Sequence, residues 1–167
     1  ECKHGYVVKV ANNGPDHIEE DDYYVKFNGT NGLDGEGVWE ECPKPGVQLE
    51  FDKTTMPHRV VWTGETSFEI STVDWDQREV GDDTTNPIPS FVSTDDADYY
   101  ITGMVYYKNR LGFLSGSSVI LSSPDDLFHF WAETALTVSD EDVIDLDVTS
   151  AQPADLKTGI DINTGLL

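Results

Sequence analysis

The groups able to do chemistry in this 167-residue chain are mostly carboxylates, thirty-two Asp and Glu against ten Lys and Arg. Two carboxyl groups facing each other across a sugar, one with a raised pKa, would hydrolyse a glycosidic bond. Sequence spacing does not select such a pair. Asp145 and Asp147 share one face of the strand-like run VIDLDV at 143–148, but acids alternating on an exposed strand face are solvated. Asp95, Asp96 and Asp98, and Asp140, Glu141 and Asp142, offer oxygen ligands for calcium. Neither cluster has the central glycine and terminal glutamate of a helix-loop-helix calcium loop. His4, His17, His58 and His129 lack metal-ligand spacing, and there is no HExxH or CxxC. No GxSxG elbow or phosphate-cradling glycine run is present, and a triad assembled from distant residues leaves no spacing to read. No catalytic residue, cofactor or metal ligand is therefore assigned.

Composition narrows the classes further. A formal charge of −22 argues against a module that grips nucleic acid, which needs clustered Lys and Arg. With 38% hydrophobic residues the chain can bury a core. No apolar run approaches the length of a membrane span and no basic-then-apolar leader opens the chain, so membrane anchoring is not expected. Cys2 and Cys42 do not make a disulfide framework and are read as free thiols, with a single bridge as the alternative. Asn28, Gly29 and Thr30 form a glycosylation tripeptide that is read as a turn after a strand.

The elements that must position these groups are short strands. YVVKV at 6–10, YYVKF at 23–27 and GVWEEC at 37–42 are strand-forming. They are separated by NNGP turn chemistry at 12–15, an acidic loop at 19–22 and a Gly-rich stretch at 28–37. Pro43 and Pro45 interrupt any ladder there. RVVW at 59–62 and SFEIS at 67–71, around Thr63, Gly64, Glu65 and Thr66, predict a hairpin. The first seventy or so residues thus read as an all-β unit. The stretch 75–91, with Pro87 and Pro89, reads as an extended connector that marks a domain boundary. Residues 101–131 organise the remainder: β-rich runs at 101–107 and 118–121 flank NRLGFLSG at 109–116, which carries a tight turn at Ser115 and Gly116, and the stretch closes on Phe128, Phe130 and Trp131. Residues 132–142 read as loop or a short helical piece, 143–148 as a strand, and the chain past Pro153 as the start of another.

Four of these pieces, in order, resemble one family. They are Asn86, Pro87, Ile88, Pro89, Ser90, Phe91 and Val92; then Asn109, Arg110, Leu111, Gly112, Phe113, Leu114, Ser115 and Gly116; then Phe128, His129 and Phe130; then SDEDVIDLDV at 139–148. Together they are similar to an internal part of the tail nozzle, or tail tubular protein B, family of T7-like short-tailed bacteriophages. GYVVKV at 5–10, YYVK at 23–26, Val38 and Trp39, TMPH at 55–58, and Gly81 with Asp82 fit as well. The loops at 12–22 and 28–37, and Ser123 and Pro124 where a basic residue is common, depart from the family pattern and bear on loop contacts.

The resemblance implies an all-β virion protein, assembled in the host cytoplasm into a homo-oligomeric ring, sixfold in the family, that contacts an adaptor and other tail proteins. It implies an inserted antiparallel β domain at 1–91, followed at 92–167 by strands of a partial β-propeller truncated at the C-terminus, the chain being an internal fragment. Genomic DNA would be a passing substrate of the channel, and an acidic wall would leave it hydrated and mobile. A carbohydrate-binding or capsule-degrading tail protein is the alternative. On the nozzle reading, 101–107 and 118–121 should be adjacent antiparallel strands of one blade. Open strand edges left by truncation predict that hydrogen exchange finds 101–121 the most labile region, and uniform protection in a monomer would overturn that expectation.

Overall fold

The computed structural model describes residues 1–11, 22–92, 100–148, 155–162 and 165–166. His17, the turn at 12–15, the acids at 19–21, the cluster Asp95, Asp96 and Asp98, and the start of the strand expected past Pro153 lie outside the described residues. Within them the chain is all-β, with no α-helix.

An antiparallel three-stranded sheet, β1 (Val7–Val10), β2 (Tyr23–Gly29) and β3 (Gly37–Cys42), comes first. Gly29 and Gly37 are partners across β2 and β3, and a Cβ on Gly37 would lie 2.3 Å from the Asn28 carbonyl oxygen. The Gly-rich stretch therefore contains a close backbone approach. A 3-10 turn at Thr30–Gly32 follows β2, the turn expected after Asn28. Next come β4 (Arg59–Gly64) and β5 (Ser67–Ser71), which among the described residues pair only with each other, as the predicted hairpin.

The main sheet has the order β6 (Ile101–Tyr107), β7 (Arg110–Ser115), β8 (Ser118–Leu121), β9 (Ile144–Asp147), all antiparallel. The runs 101–107 and 118–121 are strands but are not neighbours, because Arg110–Ser115 is itself a strand between them. Two turns enclose it. Lys108 and Asn109 have φ of 47° and 60°, which is the two-residue type I′ loop that matches strand twist, and Gly116 at φ 54° makes the return. The first turn contains no glycine, and Gly112 inside the strand reads as a loop residue, so the pattern hid β7. Its Cβ position would meet Val105 Cγ2 and Leu121 Cδ2 at 2.5 Å each, so glycine is what lets the neighbouring side chains close over the strand. A short pair, β10 (Asp161–Ile162) with β11 (Gly165–Leu166), ends the described chain.

Each face of the main sheet carries a cluster. On one, Phe113 and Ile120 pack with Phe51, Met56, Phe91, Phe130 and Trp131. On the other, Val105, Leu114 and Leu121 pack under Ile144 and Leu156, and the Leu156 N–H donates to the Gly116 carbonyl at 2.7 Å. The stretch 75–91 has no strand, as its prolines imply, yet it is not a solvated connector: Trp75, Ile88 and Phe91 pack in the first cluster. That cluster is drawn from both sides of position 91.

Phe113, Leu114 and Ser115 are fully enclosed, and of 101–121 only β6 lies at an edge of the sheet. The expectation that 101–121 is the most labile region is thus reversed at β7 and β8, whose amides are internal to the ladder. Hydrogen exchange should find β7 and β8 the slowest strands and the isolated β4–β5 hairpin the fastest. Faster exchange in β7 than in β5 would contradict this architecture.

Candidate functional site

The family-like residues converge where β7 meets the turn at 139–142 and the segments 86–91 and 128–132. Arg110 opens β7 with a buried side chain. Its Nη1 donates to the Ser122 carbonyl at 2.7 Å and the Asp142 carbonyl at 2.6 Å, and its Nη2 donates to the Asp140 carbonyl at 2.8 Å. One guanidinium thereby holds β7, the end of β8 and the 139–142 turn in one place, using the fixed fork of its donors. Ser122 locks the same corner: its Oγ accepts the Leu111 N–H at 3.1 Å, and its own N–H donates to the Leu111 carbonyl at 2.8 Å. Asn109, in the preceding turn, donates to Asp125 Oδ1 at 2.8 Å.

Asn86 plays the matching part on the other side. Its Nδ2 donates to the carbonyls of Val80 and Ala132 at 3.0 and 3.1 Å, and its Oδ1 accepts the Ala132 N–H at 2.9 Å. A buried amide so satisfied fixes the 86–91 segment against 130–132 at little net desolvation cost. Phe113 stacks on Phe130 with centroids 5.1 Å apart at 15°, and Phe91 stands edge-on to both. Phe128 is peripheral, meeting Trp75 edge-on at 5.4 Å. Pro87 and Pro89 line a small apolar recess of about 200 Å³ with Asn86, Phe130, Val138 and Val143.

Of the carboxylates singled out by sequence, Asp142 and Asp145 also line that recess, and each is bonded to a backbone N–H. Asp142 Oδ2 accepts the Ser139 N–H at 2.6 Å, and Asp145 Oδ2 accepts the Ser90 N–H at 2.7 Å. Both cap backbone, and Asp147 is exposed at the edge strand β9. Among the described residues no group of three or more His, Cys, Asp and Glu is placed to hold a metal ion. His129 Nδ1 lies 3.5 Å from Asp76 Oδ2, beside a recess lined by Trp75, Asp76, Gln77, Glu79 and His129. That lining contains no hydroxyl or thiol to serve as a nucleophile. Cys2 and Cys42 are free, and burial pushes the Cys42 thiol up.

Sequence reading passed over Arg78, Trp75, Phe51 and Ser122. Arg78 is fully buried, with Nη1 on Asp83 Oδ1 at 2.9 Å and the guanidinium 5.4 Å from the Trp131 ring centroid, and Trp131 in turn stacks on Phe51 at 4.9 Å. A lone Arg in a stretch rich in acids and polar residues was the available signal. Nearby, burial raises the pKa of Asp82, but the N–H groups of Thr84 and Thr85, the charge of Lys44 and the Thr85 hydroxyl outweigh it and hold the carboxyl below its usual 3.8.

Arg110→Ala would strand the three carbonyls that its buried guanidinium satisfies, and should lower unfolding stability by about 3 kcal/mol in denaturant titration. Arg110→Lys, which lacks the fork, should lose about 2 kcal/mol, and a loss under about 0.5 kcal/mol in both would refute the role. Asp82 stabilises the fold fully above its ordinary pKa of 3.8 and loses that contribution as pH falls through its lower folded value. Asp82→Asn keeps an acceptor without the titration, so its acid-unfolding curve should be flatter than that of the parent, and identical slopes would remove Asp82 from the account.

Compared with known proteins, residues 1–167 match the family described as "Bacteriophage nozzle protein". The tail tubular protein gp12 of Escherichia phage T7 is 32% identical over 163 residues, an alignment that covers 98% of this chain and 19% of that protein. The chain therefore spans about a fifth of the length of this curated relative.

Proposed function

The chain belongs to the bacteriophage nozzle protein family, and from that membership we propose that it is part of the wall of a virion tail, holding neighbouring tail proteins by assembly contacts around a channel for DNA. The observation that carries this reading is the family match along the whole chain. The site geometry agrees with it in kind: the family-like residues Asn86, Phe91, Arg110, Phe113 and Phe130 spend their polar and aromatic groups on internal packing. They act as structure, and the function they serve is a rigid scaffold.

Copies of the parent protein form a closed ring, which the family resemblance gives as sixfold. The four-stranded antiparallel meander β6–β9 is the layout of a propeller blade, which supports reading 92–167 as blade strands. The unit before it is inserted, and the two meet where Phe51, Met56 and Phe91 pack on Phe113 and Phe130. The net charge of −22 suits the lumen, since a wall that binds no phosphate lets DNA slide. Carbohydrate hydrolysis is not advanced, because Asp142 and Asp145 are engaged by backbone N–H groups.

Cryo-electron microscopy of purified particles of the encoding phage should place this sequence in a ring below the portal, around a central lumen. Density for it outside the tail would overturn the proposal. The isolated chain should also fail to retard duplex DNA in a mobility-shift assay at about 50 mM salt, where phosphate-binding proteins hold most tightly. Retention there would remove the sliding-wall role while leaving the tail location standing.

A further inference from the structure

The recess beside the family-like residues has an apolar lining broken by two carboxylates. Pro87, Pro89, Ile120, Phe130 and Val143 supply the hydrocarbon, and Asp142 and Asp145 line it as well. Both carboxylates are held in place, and each has an oxygen left over. Asp142 accepts the Ser139 N–H and Asp145 the Ser90 N–H, each through Oδ2. Asp142 is only 9% exposed, yet its Oδ1, which accepts no hydrogen bond among the described residues, is not enclosed. An accessible oxygen on a buried residue that lines a recess opens into that recess. Among the described residues neither carboxylate is in an ion pair, and Arg110 bonds the main-chain carbonyl of Asp142, not its carboxylate.

No side chain of the lining has a donor to spare. Asn86 spends its amide hydrogens on the carbonyls of Val80 and Ala132, and the prolines have no N–H. An anion or a sugar therefore finds nothing to bond, and a wholly apolar molecule would leave the carboxylates desolvated and unpaired. What matches is a hydrocarbon stem that ends in a cation. A cavity of about 150 Å³ holds benzene, so a recess of about 200 Å³ has room for roughly four methylenes and an ammonium. We propose that this recess binds a primary alkylammonium, its stem against Ile120 and Phe130 and its N–H groups on Asp142 and Asp145. An ammonium is a compact charge whose donors can turn to two carboxylates at once, and hydrogen bonds between charged groups are the strong ones. Two sources carry this chemistry, a lysine side chain of a neighbouring protein and a free diamine.

The test follows backbone amide resonances of the isotope-labelled 167-residue chain at about 0.15 M salt, where general attraction to the charge is screened. n-Butylammonium should shift Phe130, Ala132, Val143 and Asp145 saturably, with a dissociation constant on the order of 10 mM, a strength that so small a ligand can reach. Methylammonium meets the same net charge of −22 without a stem, and n-butanol has the stem without a charge. Each should bind at least about fivefold more weakly. Asp145→Asn keeps an acceptor for the Ser90 N–H and removes the charge, and Asp142→Asn does the same toward Ser139. Each should weaken n-butylammonium at least about threefold and leave n-butanol unaffected, while unmoved β7 amides show that the fold is kept. Nα-acetyllysine N-methylamide binding as n-butylammonium does would assign the site to a lysine side chain, and cadaverine binding more tightly than both would assign it to a free diamine. Methylammonium or n-butanol binding as well as n-butylammonium, shifts that do not saturate, or indifference of both variants would overturn the proposal. None of these results bears on the tail location, which microscopy of the particle decides separately.

Discussion

The fold depends on a buried positive charge that, among the described residues, is held by main-chain carbonyls and by no carboxylate. In a chain with thirty-two acids, Arg110 is held by the main-chain carbonyls of Ser122, Asp140 and Asp142. A carboxylate could neutralise it from many directions, whereas three carbonyls satisfy the planar fork only if three pieces of backbone are in register. The side chain therefore acts as a template: it aligns the start of β7, the end of β8 and the turn that leads into β9. The sheet's order follows, and with it the faces that Phe113 and Leu114 present to the two cores.

Around that template the packing is aromatic and tight. The stacks Phe113 on Phe130 and Phe51 on Trp131 are joined through Phe91, so segments remote in sequence share one cluster. Ring pairs at these separations add about 0.5–1.5 kcal/mol each beyond burial. Asn86 closes the same cluster from its polar side by bonding Val80 and Ala132. Irregular backbone between 75 and 91 is thereby as fixed as the strands, by contacts that carry no periodicity.

Much of this was legible in sequence wherever local pattern and tertiary role agree. Gly37–Cys42, Ser67–Ser71, Ile101–Tyr107 and Ser118–Leu121 match the runs read from β-branched and aromatic residues. Arg110–Ser115 did not, because Gly112 and a preceding Asn109 are loop chemistry by composition, and their service to a strand shows only once Val105 and Leu121 are seen to crowd the glycine. The family-like positions were legible as a set, but their roles were not. That Arg110 and Asn86 bond carbonyls from four separate segments is a property of the closed structure and leaves no spacing signal. Trp75 and Phe51 reach the core from stretches without period, so nothing local marked them as buried.

The three-stranded sheet is fastened differently from everything else. Neither apolar cluster includes a residue of β1, β2 or β3. Among the described residues it is tied by Glu41, whose carboxylate accepts the Thr134 hydroxyl and the Ala135 N–H, and by the backbone contacts of Pro43 and Lys44 with Gly81. Polar ties of this kind demand only a matching donor and acceptor, where an aromatic core demands a matching shape. A change in the sheet's own interior, at Tyr24 or Phe27, therefore needs no answering change in the aromatic cluster around Phe113, because the two share no packed surface in either cluster.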